Sequence, residues 1–117
     1  MIEIKKTQGN IIYTKSTGTL TKNDYDKLLP VLNTLLEKHV KIRWYFEMEN
    51  FTGWEPAALW EDLQFDIKHA NDFEKIAMVG EREWQSMITQ IMKPFSSAEI
   101  KYYDRQNQRE AIRWIEL

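Results

Sequence analysis

From Ile42 to Leu63 the chain reads I-R-W-Y-F-E-M-E-N-F-T-G-W-E-P-A-A-L-W-E-D-L, and three of its five tryptophans, Trp44, Trp54 and Trp60, fall inside that stretch. So much aromatic surface in one place must be buried near the centre of a fold, which limits what the remainder can do. Ile42 to Met48 holds β-branched, aromatic or long residues and no glycine or proline, the composition of a packed strand. On such a strand Ile42, Trp44, Phe46 and Met48 share one face, and Arg43, Tyr45 and Glu47 share a second, amphipathic one. Glu49 to Gly53 supplies turn chemistry, with Thr52 placed to cap a helix and Pro56 in its first turn, where a missing N–H costs nothing. The spacing predicts that helix over about Trp54 to Ala70. Leu59, Trp60, Leu63, Ile67 and Ala70 form one apolar stripe, and Trp54, Ala58 and Phe65 form a second, almost opposite. One stripe faces the sheet; the other needs a neighbouring helix, a ligand, a second copy or a lipid surface.

The flanking sequence supplies the rest of an α/β order. Met1 to Lys6 and Asn10 to Leu20 read as an antiparallel hairpin around Gln8-Gly9-Asn10, the threonine-rich second half of its second strand suited to an exposed or edge position. Thr21 caps a helix with Asp24 in a capping-box position, and leucines recur at helical spacing to about His39, with Pro30 set to kink the helix or displace one turn. Lys75 to Gly80 reads as a buried strand. Glu81 to Met92 reads as a helix with Trp84, Met87, Ile88 and Ile91 on one side, stopped at Lys93-Pro94. Ala98 to Tyr103 is a last strand, and Arg105 to Glu116 a closing helix with Ala111, Trp114 and Ile115 inward. The order is ββαβαβαβα: a mixed five-stranded sheet, largely parallel, flanked by about four helices in a single domain over residues 1–117.

Composition excludes several function classes. With 117 residues, 43% hydrophobic and 29% charged, the chain can bury one core without staples. Its lack of cysteine removes disulfides, thiol catalysis and cysteine zinc sites, and fits a cytoplasmic setting. A net charge of −2 argues against nucleic acid as a partner. No apolar run approaches the roughly 20 residues that span a bilayer, so membrane contact is expected to be peripheral.

Leu20-x-x-x-Asp24 leading to Leu28 and Pro30, Phe51-x-Gly53-Trp54 with Ala57-Ala58-x-Trp60-x-Asp62, Asp72-Phe73-x-Lys75-Ile76-Ala77-x-Val79-Gly80 with Trp84, Pro94-Phe95, and Ala111-x-x-Trp114-Ile115 occur in this order along the chain. This pattern resembles the SpoIIAA-like family, STAS-domain relatives of the anti-sigma-factor antagonist. The resemblance implies a mixed sheet flanked by helices, no catalytic machinery, and an apolar-ligand or lipid-binding module that associates with membranes. The helices after the third and fourth strands would be a mobile lid. Antagonists of this kind carry a phosphorylatable serine at the start of the helix after the central strand; here Thr52 is the only hydroxyl in the corresponding turn.

For the candidate sites, Thr52 is either a phosphoacceptor at a helix N-terminus or simply its N-cap. His39 and His69 stand near helix C-termini and are too few for a metal site. Glu61, Asp62 and Asp66 fit a solvated helix face, and Ser96 and Ser97 have no histidine nearby in sequence to activate them. The aromatic set is the sharper candidate. Trp54, Ala58, Phe65, Trp84, Met87 and Phe95 can line an apolar cleft, with Met92 beside it and Lys68, Arg82 and Lys93 placed to touch lipid headgroups. The leading expectation is therefore a cytoplasmic, non-enzymatic module without cofactor or metal. It would bind an apolar or lipid-like small molecule between its two central helices, with peripheral membrane contact. The alternative is a regulatory protein–protein interaction domain of the anti-sigma-factor-antagonist type, and self-association through the leftover face stays open.

Overall fold

The computed structural model describes residues 1–54, 73–81 and 98–117. Along them run β1 (Ile2–Gln8), β2 (Ile11–Leu20), α1 (Lys22–Lys38), β3 (Ile42–Trp54), β4 (Phe73–Gly80) and β5 (Glu99–Asp104). A 3₁₀ turn at Arg105–Asn107 leads into α2 (Gln108–Glu116). The five strands form one sheet in the order β1-β2-β3-β4-β5; β1 is antiparallel to β2, and the remaining pairs are parallel. The mixed sheet with a hairpin edge is thus as the sequence predicts. Two α-helices, not about four, stand among the described residues, so the order observed there is ββαβββα. The helices expected over Trp54–Ala70 and Glu81–Met92 fall almost wholly outside those residues.

Each face of the sheet has its own core, because alternate residues of a strand point to opposite sides. Ile42, Trp44, Phe46 and Met48 of β3 join Ile76 and Met78 of β4 beneath Leu28, Leu32 and Leu35 of α1. On the other face Tyr13, Tyr45, Ala77 and Val79 pack against Ala111 and Ile115 of α2. Trp44 is fully buried at the middle of the first core, its ring edge-on to Phe46, and its Nε1 donates to Thr14 Oγ1 at 2.9 Å. Replacing a ring so placed by alanine typically costs about 3–5 kcal/mol.

β2 departs from the sequence reading. Its threonine-rich half is an edge only in part: as far as Ser16 β2 pairs with both β1 and β3, and Thr14 and Ser16 are buried, whereas from Gly18 to Leu20 it pairs with β3 alone and Thr19 is exposed. Thr14 is satisfied by Trp44 and by the Tyr45 carbonyl, whereas the Ser16 hydroxyl has no hydrogen-bond partner among the described residues. β1 is the outer strand on this side of the sheet, as β5 is on the other, and α1 attends to it. Ile2 N donates to Asp24 Oδ1 at 2.8 Å, and Lys27 Nζ donates to the Ile2 carbonyl at 3.2 Å.

α1 begins as expected, with a complete capping box between Thr21 and Asp24, and it runs through Pro30 to a C-cap at His39. Within that box Asp24 accepts from the Thr21 amide at 2.8 Å, and it takes the Ile2 amide besides, so one carboxylate starts the helix and fastens the edge strand. Burial alone would raise the Asp24 carboxyl; the amides of Thr21 and Ile2 and the Thr21 hydroxyl outweigh it and hold the group below the ordinary carboxylate range. At the far side, Arg43 Nη1 donates to the Ile115 carbonyl at 2.8 Å and Lys75 Nζ to the Trp114 carbonyl at 3.4 Å. Cations here satisfy the free carbonyls at the C-terminus of α2 and complement its dipole. Trp114, expected inward with Ala111 and Ile115, is only half-buried.

Candidate functional site

In parallel sheets ligands and partners are met at the carboxyl ends of the strands. Here that rim is shaped by an unusual stretch of β3. The turn expected at Glu49–Gly53 is instead strand, continuing to Trp54, because β2 offers a partner as far as Leu20. The pairing is not regular. Thr17 faces Glu49, Gly18 faces Phe51 and Thr19 faces Gly53, leaving Asn50 and Thr52 as extra residues on β3. Such bulges bend a strand and re-aim its side chains. Asn50 and Gly18 take the left-handed conformation, at φ of 49° and 61°, and Gly53 lies at 119°. Gly53, which looks like a turn residue in sequence, therefore lies with Gly18 at the bulges.

Thr52 is exposed on the second bulge, and its Oγ1 lies 2.7 Å from Thr19 Oγ1. It does not open a helix at Trp54, so its reading as N-cap of that helix is overturned by the continuing strand. Among the described residues no carboxylate or imidazole bonds either hydroxyl, and no three His, Cys, Asp or Glu side chains gather to hold a metal. The pair can present hydroxyls to an incoming group.

Polar groups flank it on the α2 side. Glu47 Oε1 accepts from Gln108 Nε2 at 2.8 Å and from Tyr45 OH at 3.4 Å, and Arg105 Nη2 stands 3.9 Å from Glu47 and 3.8 Å from Glu49. Lys15 pairs with Glu49; that bond holds the exposed Glu49 carboxyl below its ordinary value and raises Lys15. Arg105 Nη1 also donates to the Met48 carbonyl at 2.8 Å, closing the strand backbone just beyond the last β3–β4 pair, Glu47 and Val79. Glu81 follows β4 directly. Its Oε1 accepts from the Asn50 amide at 3.5 Å, its buried Oε2 has no partner among the described residues, and its carbonyl accepts from Tyr102 OH. Arg105 and Glu81 were missed as rim residues in the sequence reading, which assigned each to the start of a helix; only their places directly after a strand signal this role.

The apolar set fares differently. Trp54 is the last residue of β3 rather than the first of a helix. Ala58, Phe65, Trp84, Met87 and Phe95 lie outside the described residues, as do Met92, Lys68, Arg82, Lys93, His69, Glu61, Asp62, Asp66, Ser96 and Ser97. His39 caps α1 at the opposite end of the sheet from Thr52. A shallow groove of about 250 Å³ is lined by Thr7, Pro30, Val31, Thr34, Leu35 and Lys38, between β1 and α1 and away from the rim.

A mixed sheet with an antiparallel edge hairpin, helices on both faces and a polar carboxyl rim defines a STAS-like domain. The SpoIIAA-like family profile matches residues 11–116, and the chain belongs to that family. Among solved structures it is similar to an uncharacterised Shewanella loihica protein with a SpoIIAA-like fold, at 28% identity and a TM-score of 0.70, over 98% of this chain and 92% of that one. It shares its fold with the Bacillus cell fate determinant SpoIIAA in its phosphorylated form, at 9% identity and a TM-score of 0.53, over 96% and 99% of the two chains. No curated protein matches significantly.

Proposed function

We propose that this chain is a non-enzymatic regulatory module that binds another protein through the carboxyl rim of its sheet, with Thr52 as the phosphoacceptor that governs binding. The observation that carries the reading is the exposed Thr52 hydroxyl, set on a bulge and held by Thr19 at 2.7 Å. Membership of the SpoIIAA-like family supports a protein partner over a lipid one. In the transfer itself a kinase delivers the γ-phosphoryl group of ATP to Thr52 Oγ1; ADP leaves and the hydroxyl proton passes to the kinase base. The phosphate adds up to about two negative charges to a rim that already carries Glu47 and Glu49, and opposes a partner that docks there through acidic groups.

Incubation of the purified chain with labelled ATP and a lysate of the cells that make it, followed by mass spectrometry, tests this reading. Label on Thr52, absent from Thr52→Ala, with a partner retained by Thr52→Ala and lost from Thr52→Glu, is the expected result. A chain that takes no label at Thr52 and captures no protein, or one that floats with liposomes instead, removes the proposal and returns the apolar-ligand reading.

A further inference from the structure

Thr19 stands on the same rim as Thr52, and its surroundings are as particular. In register it faces Gly53, which has no side chain to meet it. The side chain that does meet it belongs to Thr52, the extra residue of the second bulge, with the two Oγ1 atoms 2.7 Å apart. That is the preferred length for an O–H···O bond. Among the described residues each hydroxyl finds its partner in the other. The backbone of Thr19 is fixed from beyond: buried Leu20 follows it and pairs with Trp54, and Thr21 is the N-cap of α1. Thr52, by contrast, lies on bulged backbone between Asn50 and Gly53, at φ of 49° and 119°. An exposed side chain there samples several staggered wells unless a partner selects one.

We propose that Thr19 is a positioning residue for phosphoryl transfer to Thr52: its hydroxyl holds Thr52 Oγ1 in one rotamer and donates to it as its proton leaves. The inference rests on the reading of Thr52 as the phosphoacceptor. A threonine hydroxyl has one proton to give and two lone pairs that receive. With Thr19 as donor, the Thr52 proton stays free for the kinase base, and a lone pair of Oγ1 stays free for the phosphorus. As Oγ1 loses that proton, charge grows on the oxygen that Thr19 already faces, and a donor in place before the reaction stabilises such charge. The bond from Oγ1 to phosphorus forms while the bond from phosphorus to the departing ADP oxygen breaks, and Thr19 keeps its own proton throughout. Afterwards the same hydroxyl donates to a phosphate oxygen and favours the dianion.

Two measurements on the full chain test the assignment. In the first, phosphothreonine is installed at position 52 during translation, and phosphorus NMR follows its second ionisation, ordinarily at about pH 6. The phosphate is expected to ionise at lower pH in the parent than in Thr19→Val, which keeps the β-branched shape and loses the donor. Thr19→Ala behaves as Thr19→Val does, and Thr19→Ser as the parent. In the second, the chain with unmodified Thr52 takes label from ATP in a lysate of the cells that make it. The initial rate at Thr52 falls about fivefold in Thr19→Val, equivalent to about 1 kcal/mol, the upper range for a cross-strand threonine pair. It recovers in Thr19→Ser, and every variant keeps the parent circular dichroism. Identical ionisation in the parent and Thr19→Val, or label on Thr52 that Thr19→Val does not slow, overturns this inference alone. A parent that takes no label at Thr52 removes the phosphoacceptor reading and this inference with it.

Discussion

Asp24 shows how much one side chain can decide. Its carboxylate completes the capping box by taking the Thr21 amide and takes the Ile2 amide as well, so removing it orphans donors in two elements. Asp24→Ala is expected to cost about 2–3 kcal/mol in urea unfolding, the sum of a lost cap and a charge-assisted bond. The folded state holds this carboxyl below its ordinary value, so its contribution is complete above about pH 4 and fades as pH falls toward the folded value. Stability measured from pH 5 downward should therefore fall, and Asp24→Asn should flatten the fall. An unchanged slope would show that the carboxylate is not held as described. The capping role was legible from Thr21 and Asp24 alone, since it depends on residues three apart. The bond to Ile2 was not, because it joins positions that only the folded sheet brings together.

At the scale of elements, β3 and α2 carry the lesson about local signals. Ile42 to Met48 was recognisable as strand because its apolar alternation is local. Its extension through Thr52 was not, because glycine and asparagine serve bulges as readily as turns, and only the partner strand β2 decides between them. Thr52 was singled out in sequence as the one hydroxyl of that stretch, but at a helix start; that it stands exposed on a strand was not legible. α2 closes over Tyr13 and Tyr45, whose rings lie 5.6 Å apart. Burial first, then Glu116 for Tyr13, pushes the Tyr13 phenol up to about 12; burial likewise raises Tyr45 to about 12, with Gln108 opposing and Glu47 adding. Ultraviolet titration should show at least two of the five tyrosines ionising well above pH 10. Their contribution to stability is whole below about pH 10 and lost as pH climbs toward 12. A single transition near pH 10, with the fold intact, would contradict the packing of α2.

For the molecule as a whole, the alternation of apolar runs and turn residues was enough to predict a largely parallel sheet with a hairpin edge, because that order leaves few topologies open. Which residues meet where strands approach most closely was not legible, since it depends on sub-ångström fit. Gly80 is the clearest instance: a Cβ there would stand 2.9 Å from Met48 Cε, 3.2 Å from the Tyr102 hydroxyl and 3.3 Å from Met48 Cβ. Gly80→Ala is expected to cost about 1–2 kcal/mol through overpacking, read in the urea midpoint. A neutral substitution would mean that β3 and β5 sit farther from β4 than described. The grip of α1 on Ile2 has a further consequence. Unsatisfied strand borders invite intermolecular stacking into fibrils, and on this side the helix already occupies the first amide and carbonyl that an intruding chain would seek. Loss of Asp24 would then leave the protein not merely softer but stickier, precipitating on storage before it visibly melts.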